Sequence, residues 1–144
     1  MSQKSNQERL NPVFTNDGVF QGCTSLSSID IPANTEVISH YAFHDCNKLT
    51  RVSFSTGSKL KVIGNYAFNN CSSLKSIEFP ENVETIGSSG FQGCSSLVSL
   101  NVPPKINIIE MGTFFNCKGL KIINIPSNST LTYIEIDAFG WCSI

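Results

Sequence analysis

Phe68-Asn69-Asn70-Cys71 is one of six Phe-x-x-Cys phrases in a chain of 144 residues. The others are Phe20-Gln21-Gly22-Cys23, Phe43-His44-Asp45-Cys46, Phe91-Gln92-Gly93-Cys94, Phe114-Phe115-Asn116-Cys117 and Phe139-Gly140-Trp141-Cys142. Successive cysteines stand 23, 25, 23, 23 and 25 residues apart. A near-constant period of this size means that each repeat is one coil of a stack, because a single unit cannot bury its apolar face alone. The expected architecture is therefore a solenoid.

Laying the repeats over one another gives Leu-x-x-Ile-x-apolar-Pro, a short loop, then Ile-x-x-x-small-Phe-x-x-Cys-x-x and back to Leu. The first phase recurs as Leu26 to Ile31, Leu49 to Phe54, Leu74 to Phe79, Leu97 to Val102 and Leu120 to Ile125. Its end alternates with period two and carries β-branched or aromatic residues, so it predicts one short parallel strand per coil. Pro32, Pro80, Pro103 and Pro126 follow four of these strands and end pairing there, since proline has no N–H to donate. Ser55 replaces it in the second repeat, so that ladder is expected to run one residue longer. The return phase reads Val37-Ile38, Val62-Ile63, Thr85-Ile86, Ile108-Ile109 and Tyr133-Ile134. A small residue (Ala42, Ala67, Gly90, Thr113 or Ala138) then precedes each phenylalanine, which predicts a tight turn or a single 3₁₀ turn close against the neighbouring coil. Two repeats gain residues at Ser55 to Ser58 and Ser127 to Thr130, on one edge of the stack.

The ends break the pattern. Residues 1–15 form an irregular segment in this reading, with Leu10, Val13 and Phe14 as a lid, and 16–144 form the repeat domain of about five and a half repeats. The chain stops at Ile144, before the strand of its last coil, so apolar surface there is expected to drive self-association as a two-fold dimer.

Net charge is −1 and charged residues are 15% of the chain, so no basic surplus points to nucleic acid. Met1 to Arg9 are polar with no apolar h-region, and no run approaches a membrane span. Six cysteines in a short chain suggest a disulfide framework, but one per coil puts them in a single inward column. Coils lie about 4.8 Å apart where strands stack, yet parallel in-register side chains do not point at one another. Free, buried thiols acting as small apolar groups are expected.

Ile63-Gly64-Asn65-Tyr66-Ala67-Phe68-Asn69-Asn70-Cys71-Ser72-Ser73-Leu74 resembles, without a gap, the BspA-type leucine-rich repeat, Leu-x-x-Ile-x-Leu-Pro…Ile-Gly-x-x-Ala-Phe-x-x-Cys-x-x-Leu. The resemblance covers about residues 16 to 144. It implies an α/β, β-rich, right-handed leucine-rich-repeat solenoid. It also implies a non-catalytic protein-binding module, an adhesin at the cell surface for matrix or host proteins, with no catalytic residue and no cofactor to carry over. An intracellular scaffold repeat is the competing reading.

Three local features compete for chemistry. His40 and His44 stand four apart beside Asp45 and Cys46, but they align with Asn65, Ser88, Gln21, Asn69 and Gln92, variable polar positions expected to be exposed. The cysteine column offers no second thiolate within a coil for zinc, so no metal site is expected. The strand face is the candidate binding surface, with Asp30, Ser53, Glu78, Asn101 and Asn124 in one outward column and Arg51, Ile122, Lys75 and Val98 beside it. A merely solvated face is the alternative; Val98 and Ile122 favour binding, because an outward apolar pair needs a reason. Asn70-Cys71-Ser72 and Asn128-Ser129-Thr130 match the glycosylation sequon, the second in an inserted loop.

Overall fold

The computed structural model describes residues 17–144. The expectations for residues 1–15 and the Leu10, Val13 and Phe14 lid lie outside the described residues. The chain winds into a parallel β-solenoid with no helix among the described residues. Strands of the first phase are β1 (Ser28–Ile31), β3 (Arg51–Phe54), β6 (Ser99–Asn101) and β8 (Ile122–Asn124). The return strands are β2 (Val37–Ile38), β4 (Val62–Ile63), β5 (Thr85–Ile86), β7 (Ile108–Ile109) and β9 (Tyr133–Ile134), all five where the sequence places them. Every pairing is parallel: β1 with β3, β2 with β4, β4 with β5, β6 with β8, and β7 with β9. The Ser55 N–H donates to the Ile31 carbonyl at 3.0 Å, so the ladder without a proline does run one residue on.

The third side of each coil is a turn, not a 3₁₀ helix. Its amides alternate in purpose. Ala42, His44 and Cys46 donate back within their own coil, to Ser39, Tyr41 and Phe43. Tyr41, Phe43 and Asp45 donate across to Asn65, Ala67 and Asn69 of the next coil. The pattern repeats down the stack, from Gly18, Phe20 and Gly22 to Gly112, Phe114 and Asn116. Such alternation requires two left-handed residues per turn. Tyr41, Tyr66, Ser89 and Asp137 fill one column with φ between 54° and 57°, and Asp45, Asn70, Asn116 and Trp141 fill the other with φ between 58° and 61°. A non-glycine residue there costs about 1–2 kcal/mol; the inter-coil hydrogen bonds offset it. Close approach of the coils also explains the glycine after the return strand. A Cβ on Gly87 would lie 2.7 Å from the Asn65 nitrogen.

The core is a set of columns. Phe20, Phe43, Phe68, Phe91, Phe114 and Phe139 stack with centroids 4.9 to 5.6 Å apart and planes within 15° of parallel. That offset stacking follows from the coil spacing and is favourable for aromatic faces. All six cysteines are free thiols. Cys46, Cys71, Cys94 and Cys117 are buried, while Cys23 and Cys142, in the first and last described coils, are half-buried. Each buried Sγ donates to the phenylalanine carbonyl of the preceding coil, as Cys94 does to Phe68 at 3.2 Å. The thiol thus occupies the second lone pair of a carbonyl already bonded within its own turn, which a plain apolar side chain leaves open.

Candidate functional site

The strand expected over Leu74 to Phe79 does not pair. Residues Ser76 to Phe79 make no backbone–backbone hydrogen bond among the described residues, and the sheet divides into β1–β3 and β6–β8 on either side. Among the described residues, the one backbone hydrogen bond from Lys75 to Phe79 to a neighbouring coil is the Val98 N–H to the Lys75 carbonyl, at 3.2 Å. The local pattern of this segment matches its neighbours, so its own propensity is not the cause. The position before the proline differs. It holds Ile31, Phe54, Phe79, Val102 and Ile125, which puts two rings in consecutive coils. The Phe79 ring turns inward, edge-on to Phe91 at 5.5 Å, instead of stacking over Phe54. The second coil also crosses from strand to return with two residues more than the third. Between them lies a cleft of ≈ 630 Å³, walled by Arg51 to Ser55, Gly57 and Ser58 on one side and Ser76 to Glu81 on the other.

The outward column is real on both sides of the cleft and interrupted by it. Ser53 Oγ donates to Asp30 Oδ1, and Arg51 Nη2 lies 3.6 Å from the same carboxylate. Across the cleft, Asn101 Nδ2 donates to Glu78 Oε2 at 3.3 Å and Asn124 Nδ2 to Asn101 Oδ1 at 2.8 Å. Nothing joins Ser53 to Glu78 among the described residues. The structure therefore gathers the nine candidates into two groups, Asp30, Arg51 and Ser53 on one side, and Lys75, Glu78, Val98, Asn101, Ile122 and Asn124 on the other. Val98 is 49% exposed and Ile122 is 52% exposed, as the sequence anticipates. An exposed pair such as Arg51 with Asp30 adds little stability.

Of the two histidines expected to be exposed, His40 is and His44 is not. His40 is exposed but tied, its Nδ1 accepting the Asn65 N–H of the next coil at 2.7 Å. His44 is half-buried, with Nδ1 3.0 Å from Asp45 Oδ2. No group of three or more His, Cys, Asp or Glu side chains converges for a metal among the described residues. No helix of the described residues is long and apolar enough to cross a membrane. Of the two sequons, Asn70 donates from Nδ2 to Asp45 at 3.0 Å, while Asn128 stands exposed in its loop.

Stacked parallel strands, an inward Leu-Ile-Phe-Cys lattice and a solvent-facing strand side together define a leucine-rich-repeat solenoid. The chain belongs to the BspA-type leucine-rich repeat family: the model described as "BspA type Leucine rich repeat region" matches residues 14–144 in 6 copies. No curated protein gives a significant match. Among solved structures, a leucine rich cell surface protein from Faecalibacterium prausnitzii is similar, with 31% identity and a TM-score of 0.81. That match covers 89% of this chain and 34% of that one. The leucine rich repeat protein of T. pallidum is 26% identical with a TM-score of 0.67, covering 82% of this chain and 64% of its own. A leucine-rich repeat protein from Bacteroides ovatus is 27% identical with a TM-score of 0.61, over 83% of this chain and 40% of its own. The chain thus spans less than two thirds of each of these relatives.

Proposed function

We propose that this chain is a non-catalytic protein-binding module that acts at a cell surface, engaging a host or matrix protein through its strand face. The observation that carries this reading is the outward column. Its polar side chains are already bonded to one another, which lowers the ordering cost of an interface, and Val98 and Ile122 stand exposed beside it. The name of the Faecalibacterium relative supports a surface location; an intracellular scaffold remains the competing class. Purified chain should bind immobilised extracellular-matrix proteins in surface plasmon resonance. The double variant V98D/I122D should weaken that binding at least tenfold with an unchanged melting temperature, both sites being exposed. Unchanged affinity would remove the strand face from the account. Antibody should label intact cells; label appearing only after permeabilisation would favour the scaffold.

The C-terminal coil supports a second contact. Tyr133, Ile134, Ile136 and Ile144 are exposed and Trp141 is 75% exposed, a surface on which a further coil or a second copy can stack. For the 144-residue chain we infer a two-fold dimer through this end, since an isologous contact closes and stays soluble. Sedimentation should show concentration-dependent dimers that I136D/W141D converts to monomer. A wild-type monomer at millimolar concentration would rule this out.

A further inference from the structure

We propose that the cleft between β3 and Ser76 to Glu81 takes an extended basic peptide segment of a partner protein as an added strand. This rests on the protein-binding reading above and names what the site would recognise.

Three observations converge. The first is the open ladder. β3 pairs with β1 on one side only, and Ser76 to Phe79 pair with neither neighbour. Both walls of the cleft therefore present unpaired backbone N–H and C=O groups, which is the template used when a peptide joins a sheet edge. β3 is four residues long, so the wall accommodates an extended segment of about 13 Å. The second is volume. The ≈ 630 Å³ of the cleft lies within the range of sites that bind peptides and small ligands. The third is the lining. Phe54 and Phe79 are half-buried at the position where the two coils part, offering apolar surface to one side chain of the guest. Glu78 and Glu81 line the wall and form no ion pair among the described residues, whereas Arg51 is already beside Asp30. Side chains of a strand alternate in direction. A guest that alternates apolar and basic residues thus sets one kind over the two rings and the other towards the two carboxylates.

The probe is fluorescein-labelled acetyl-(Val-Lys)₃-amide, titrated by anisotropy into the 144-residue chain. Comparison peptides are acetyl-(Val-Glu)₃-amide and two forms of the Val-Lys peptide, N-methylated at every valine or at every lysine. The Val-Lys peptide should bind at least tenfold tighter than the Val-Glu peptide, and at least one N-methylated form should lose tenfold or more. The exposed-site variant E78K/E81K should reverse the charge preference while keeping its melting temperature. Undiminished binding of both N-methylated forms would eliminate strand addition, and an unreversed preference would eliminate the carboxylates. A change of sedimentation on E78K/E81K would place a second copy in the cleft and overturn the peptide assignment. Matrix binding that persists while the Val-Lys peptide fails to bind overturns this proposal and leaves the protein-binding reading intact. Peptide binding without matrix binding supports this proposal and removes matrix proteins as the partner.

Discussion

Phe68→Ala is expected to lower the free energy of unfolding by about 3–5 kcal/mol, the largest effect of any single truncation here. Phe68 has no exposed surface, and its ring lies between Phe43 at 4.9 Å and Phe91 at 5.0 Å. Its backbone is fixed as well. The N–H donates to Gly90, and the carbonyl accepts the Cys71 N–H and the Cys94 thiol. With the backbone held, the neighbours cannot collapse into the space, so the cavity term adds to the lost transfer energy. In a linear array the loss falls at one interface and divides the stack, because each coil touches only its neighbours. Phe139, half-buried and stacked on Phe114 from one side, should cost about half as much on the same truncation. Urea denaturation compares the two. A Phe68→Ala curve superimposable on wild type would mean that the repeat register is wrong.

Stability should fall steeply above pH 9. Burial pushes the Cys46 and Cys117 thiols up to about 12 from an ordinary value of 9.0. Desolvation raises Cys71 and Cys94 well above that ordinary value too. Between pH 9 and 12 the unfolded chain gives up these protons and the folded chain keeps them. The unfolded state then binds fewer protons, so stability is full below pH 9 and is lost as pH rises towards 12. Each thiol contributes a loss of about 1.4 kcal/mol per pH unit in that window. Four of them make about 6 kcal/mol at pH 10, comparable with the whole stability of a small domain. The urea midpoint at pH 8 and at pH 10 measures this directly. Replacing the four buried cysteines by alanine should flatten the pH dependence, and an equally steep fall in that variant would refute the assignment. At neutral pH the same four thiols should resist a thiol reagent, with Cys23 and Cys142 reacting first.

The strands, their stops and the core columns were legible because each is written once per coil. Ile38, Ile63, Ile86 and Ile109 are buried return residues at one register, and Pro32, Pro103 and Pro126 end ladders by lacking an N–H. The left-handed turn residues were not legible. Tyr41, Tyr66, Ser89 and Trp141 carry no local signal for positive φ; they adopt it because inter-coil hydrogen bonds demand it, and those exist only once a second coil is in place. The role of His40 was hidden for the same reason, since its acceptor nitrogen finds its donor 25 residues away.

By itself, the sequence determined the solenoid, its period, the inward phenylalanine and cysteine columns, and which side chains face outward on the strand side. Those properties follow from side-chain polarity repeated at a fixed interval, a local quantity summed along the chain. Tertiary structure alone decided whether neighbouring strands would pair. Leu74 to Phe79 spells the same strand as its neighbours, yet Phe79 turns onto Phe91, the coil beside it is two residues longer, and the ladder opens into a cleft. Backbone pairing is a relation between two coils, fixed by how their side chains share the space between them, and a single repeat read alone does not contain it.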